Sequence, residues 1–132
     1  MWANATPILP KFPRLPLNGA SDGVHVGDWS ACLADLDRYR AYSDDWDGQG
    51  AKGIPGDLID SATELVGLLR SHSVLPPTCV LPGFGGTVGF EWDTAEGGSI
   101  TLEIIGAETA EFELHIPDGP YEFLKIGEPV TA

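Results

Sequence analysis

Carboxylates are the most abundant chemistry-bearing groups in this chain, and they could bind a metal, move protons or attract cations. Asp45-x-Asp47-x-Gln49-Gly50 has the opening rhythm of a calcium loop, with oxygen ligands at alternate positions and then a glycine. The closing bidentate glutamate is missing, because Gly56 occupies its place. Asp45 and Asp47, with Asp44 beside them, therefore define a divalent-metal or small-ligand alternative, and turn formation ahead of a helix accounts for them better. Trp46, in the middle of that loop, is expected to plug the core between two helices.

Other chemistries lack their residues. No serine lies in a GxSxG turn, and neither Cys32 nor Cys79 has a histidine or cation beside it in sequence to favour a thiolate. Cys32 sits next to Leu33 and reads as core filler. His25, His72 and His115 show no HxH or HExxH spacing, so zinc is unsupported. Gly83-Phe84-Gly85-Gly86 hints at a phosphate loop, but such loops lead into a helix and here a strand pattern follows. A turn into the first strand is the simpler account. Glycoside hydrolysis would want two carboxyl groups about 5 Å or about 6.5–9.5 Å apart in a cleft. Carboxylates on a flat sheet meet the distance without a cleft. A non-enzyme with no cofactor is expected.

The elements that position the carboxylates follow from periodicity. Val88, Phe90 and Trp92 alternate with Thr87, Gly89 and Glu91, and Ile100, Leu102 and Ile104 with Ser99, Thr101 and Glu103. Ala110, Phe112, Leu114 and Ile116 alternate with Glu111, Glu113 and His115, and a fourth run spans Tyr121 to Ile126. Period two with one apolar face predicts an antiparallel sheet wet on one side. Pairing the second and third strands with both apolar faces inward sets Ile104 against Ala110 and Leu102 against Phe112. That register puts Glu103 across from Glu111 and Thr101 across from Glu113, with Gly106-Ala107-Glu108 at the tip. Glu91 joins the same surface, and Glu122 joins it only if Tyr121 and Phe123 point inward.

Ahead of the strands, Asp28 is a good N-cap for a helix to about Tyr42, with Trp29, Leu33, Leu36 and Tyr39 or Arg40 as its stripe. A second helix is expected from about Pro55, where Leu58, Ala62, Leu65, Val66 and Leu69 recur at helical spacing. Asp57, Asp60 and Glu64 lie toward its start and Arg70 and His72 toward its end, each where the helix dipole favours that sign. Pro76 and Pro77 end the helical region. The predicted fold is α+β: a two-helix hairpin packed on one face of a four-stranded antiparallel meander.

Prolines at 7, 10, 13 and 16 keep the three-residue period of polyproline II. Residues 1–27 are thus expected to form an extended proline-rich arm and loop, and residues 28–132 a single α+β domain. With Ile8, Leu9, Phe12, Leu15 and Leu17 interleaved, the arm is either a strap along its own domain or a docking arm carrying Lys11 and Arg14.

Three stretches together are similar to a known group. Trp46-Asp47-Gly48-Gln49-Gly50-Ala51 ahead of an amphipathic helix, Leu75-Pro76-Pro77, and Gly86-Thr87-Val88-Gly89-Phe90-Glu91-Trp92 resemble the WDGxGA and GxVxxEW motifs of a family of small bacterial proteins of unassigned function. The resemblance covers roughly residues 29–116. It implies a bacterial or phage source and helices followed by strands, and it implies no activity.

Charge then selects among binding roles. Twenty Asp and Glu face seven Lys and Arg over 132 residues, a net charge of −13 that repels nucleic acid and anionic membranes. No signal-peptide core and no run of ~20 apolar residues is visible, so a cytoplasmic protein is expected. Like charges directly opposite on a sheet cost roughly 0.2–1 kcal/mol per pair. An uncompensated cluster becomes useful against a basic partner, although exposed glutamates can also serve solubility or keep sheets apart. The expected function is an acidic protein-binding module. It would dock a basic protein surface, such as that of a nucleic-acid-binding enzyme, through Glu91, Glu103, Glu111, Glu113 and His115. An antitoxin, an immunity protein or an inhibitor of a nucleic-acid enzyme, such as an anti-CRISPR-like phage protein, would fit. A structural or self-associating domain is the alternative, with the oligomeric state left open, and a metal binder through Asp44–Asp47 is the third.

Overall fold

A computed structural model describes residues 28–72, 74–93, 97–107, 109–115 and 121–126. The proline arm anticipated over 1–27 lies outside them.

The first helix, α1 (Trp29–Tyr39), begins where the Asp28 carboxylate accepts the Ala31 N–H at 2.7 Å. It stops three residues before Tyr42. The chain tightens there into i→i+3 bonds, Ala41 N–H to Arg38 O and Tyr42 N–H to Tyr39 O, which end the α-helical ladder. Cys32, Leu36 and Tyr39 are its buried stripe, with Trp29 and Leu33 packed at the margin. The second helix, α2 (Gly56–Ser71), follows Pro55, whose extended backbone occupies the cap position without a side-chain bond. Leu58, Ile59, Ala62, Leu65, Val66 and Leu69 are buried along it, while Asp57 and Arg70 sit at the ends the dipole favours.

Five strands follow: β1 (Cys79–Gly83), β2 (Thr87–Asp93), β3 (Ser99–Gly106), β4 (Thr109–His115) and β5 (Tyr121–Ile126). They pair in sequence order, all antiparallel, as a meander. The four expected strands are present, and β1 extends the sheet by one. This short strand, Cys-Val-Leu-Pro-Gly, has no clean alternation and contains Pro82, which is tolerated because β1 is an edge strand. Its backbone is partly covered, since the buried Tyr39 hydroxyl donates to Val80 O at 2.8 Å.

Val88, Phe90, Trp92, Ile100, Leu102, Ile104, Ala110, Phe112 and Leu114 form the sheet's buried face and share one core with the two helices. Two indoles fasten the segment between α2 and β1. Trp29 Nε1–H donates to Val74 O at 3.2 Å and Trp92 Nε1–H to Leu75 O at 2.8 Å, so neither the half-buried ring nor the buried one leaves an orphaned donor. No helix among the described residues is long and apolar enough to cross a membrane.

Trp46 is not the plug between the helices that its position suggested. It is half-buried and lies outside the core, its Nε1–H donating to Lys52 O at 2.8 Å. Its ring packs on Tyr42 at 5.0 Å and runs parallel to Phe84, at 6.4 Å and 10°. The loop around it is therefore pinned to the β1–β2 turn, where Lys52 N–H donates to Phe84 O at 2.8 Å.

Candidate protein-docking face

Strand register determines which side chains share the sheet's outer side. Glu103 pairs with Glu111, Thr101 with Glu113, Glu91 with Thr101 and Gly89 with Glu103. The outer face is thus a lattice. One row runs Leu81, Gly89, Glu103, Glu111 and the next runs Cys79, Glu91, Thr101, Glu113. His115, opposite Ser99, is exposed at the end of β4. All five candidate residues lie on this side by alternation, the four glutamates half-buried rather than fully exposed. The β3–β4 connection differs from the expected three-residue tip. The ladder breaks between Ile104 and Gly106, and Gly106 pairs with Thr109, so a bulge at Ile105 absorbs one residue.

Among the described residues, few counter-ions lie on the strands of this side. Arg38 pairs with Asp35 at 3.1 Å, and Arg40 with Asp60 at 2.9 Å and Asp37 at 3.8 Å. Arg38, Arg40, Lys52 and Arg70 all lie off the strands. Glu103 instead accepts the Thr87 hydroxyl at 2.8 Å, a neutral donor that orients the carboxylate and leaves its charge. On β5, Lys125 pairs in register with Glu111. Glu122 pairs in register with Leu114. Tyr121 and Phe123 pair with His115 and Glu113.

The Asp44–Asp47 loop spends its carboxylates on its own backbone. Asp44 accepts the Gly53 N–H at 2.9 Å, Asp45 the Gly50 N–H at 2.7 Å, and Asp47 the N–H groups of Gln49 and Ala51 at 2.9 and 3.0 Å. Those two donors hold the Asp47 carboxyl below its ordinary pKa. Asp45 itself has φ 65°, the left-handed conformation that Asp tolerates in tight turns. Among the described residues no three His, Cys, Asp or Glu are grouped to hold a metal ion.

Neither cysteine is set up as a thiolate. Burial, then the carboxylates of Asp35 and Asp28, push the Cys32 thiol up to about 12. Burial, then Glu91 and Asp93, raise that of Cys79. Both are free.

Sequence periodicity missed the apolar surface at one end of this face. Leu81, Phe84 and Ile105 are the exposed large apolar residues among those described, Phe84 at 72%. Comparison with family models, with curated proteins and with solved structures returns no match.

Proposed function

We propose that this protein is a non-catalytic binding module that docks a basic protein surface on the outer face of its sheet. The observation that carries the proposal is the cross-strand pair Glu103–Glu111 with Glu91 and Glu113 flanking Thr101 in the next row. Among the described strand residues the one Lys or Arg is Lys125, in register with Glu111. Like charges held side by side weaken the free sheet slightly, and an opposing basic surface removes that cost while speeding encounter and excluding acidic competitors. A partner that normally holds nucleic acid presents the required charge. An antitoxin, immunity protein or inhibitor of such an enzyme, in a bacterium or phage, is the role we favour.

The test is quantitative affinity capture from a bacterial lysate with three forms of the full chain. Wild type and Asp37→Lys/Asp57→Lys should retain the same basic proteins, and Glu103→Lys/Glu111→Lys should lose them. Equal retention by all three forms would place binding away from the sheet.

A further inference from the structure

We infer that the Phe84 ring is an arginine-stacking anchor at one end of this docking face, a proposal that rests on the docking role above and adds the partner side chain it selects. The exposed apolar residues gather at one end of the sheet. Leu81 leads along β1 into the turn at Phe84, and Ile104, the neighbour of Ile105, pairs with Val88 just beyond that turn.

Phe84 is not exposed through looseness of its turn. Its carbonyl accepts the Lys52 N–H at 2.8 Å, and one side of its ring is backed by Trp46, itself held by Lys52 O and Tyr42. Gly86, at φ +81°, comes so close to the loop that a Cβ there would lie 2.8 Å from Gly53 O. A large ring in water on so fixed a mount is preorganised for a partner. Lys52 lies on one side of the turn, and the Glu103 carboxylate reaches the other, its Oε2 3.5 Å from where a Cβ on Gly83 would sit. Asp45 and Asp47 flank Trp46, and their bonds to backbone N–H groups fix the carboxylates without cancelling their charge. Beyond Leu81, the side-chain-free Gly89 opens toward Glu103.

An aromatic ring with the Glu103 carboxylate near the preceding residue suits guanidinium better than ammonium. Guanidinium is planar and weakly hydrated, so it can stack on a ring while its edge forks toward a carboxylate. The basic partner should therefore present arginine at this corner.

Calorimetric titration of the full chain with octa-arginine and octa-lysine, at equal ionic strength, tests the inference. Octa-arginine should bind about tenfold more tightly. Phe84→Leu should abolish the preference with little change for octa-lysine, and Phe84→Tyr should keep it. Glu103→Gln/Glu111→Gln should weaken both peptides alike. Equal wild-type affinities, both reduced by the glutamate pair, would overturn the anchor and leave the docking role standing. A preference that survives in Phe84→Leu would also overturn it, and no binding of either peptide at low salt would overturn anchor and docking role together.

Discussion

Glu103 and Glu111 stand directly opposite each other across the β3–β4 hairpin, and the Thr87 hydroxyl fixes the Glu103 carboxylate from the neighbouring strand at 2.8 Å. Two anions on adjacent strands repel at close range. Glu103→Gln keeps an oxygen for Thr87 and removes the repulsion, so it should stabilise the free protein by about 0.2–1 kcal/mol in urea denaturation. The gain should shrink as salt is added, because screening acts on the same repulsion.

At the sheet edge, the Tyr39 hydroxyl bonds a β1 carbonyl inside the core. Tyr39→Phe leaves Val80 O without that donor and should cost about 1–3 kcal/mol in chemical denaturation. Retention of full stability would show that water or another donor takes its place.

Gly86 combines a positive φ with a close approach to Gly53 O. Gly86→Ala adds a strained backbone and a contact that something must relieve, so a loss of at least about 1 kcal/mol is expected. Thermal denaturation checks it.

Acid should loosen the loop that carries Trp46. The Asp47 carboxyl titrates lower in the folded chain than in the unfolded one, because Gln49 and Ala51 donate to its charged form. Its contribution is therefore present above the ordinary carboxylate pKa and fades as pH falls through the lower folded value. Wild type and Asp47→Asn should differ in urea midpoint near neutrality and converge below about pH 4.

Much of the fold was legible because the strands alternate so regularly. Ile100–Ile104 and Ala110–Leu114 specify both their buried face and, once joined by a short turn, their register, since a slip of one residue would turn Phe112 outward. The placement of the four glutamates on the sheet's outer side followed directly. β1 was hidden because Pro82, an exposed Leu81 and a terminal Gly83 leave no periodic signal in five residues. β5 was ambiguous because Tyr121, Phe123, Leu124 and Ile126 put apolar residues on both faces, and only pairing with β4 shows that Glu122 aligns with Leu114. Trp46 misled for another reason. Its size and the apolar helices on either side favoured burial between them, whereas its indole N–H needed an acceptor and found Lys52 O in its own loop. Exposure of Phe84 depends on how that loop meets the β1–β2 turn, a contact between distant segments that no local pattern encodes.

Binding on the outer side of the sheet is a matter of location, which amide chemical-shift mapping reads directly. Isotope-labelled full-length protein titrated with octa-arginine should show its largest shifts at Gly89, Glu91, Thr101, Glu103, Glu111 and Glu113. Shifts concentrated at the helical carboxylates Asp35, Asp37, Asp57 and Asp60, with the strands unmoved, would contradict the account.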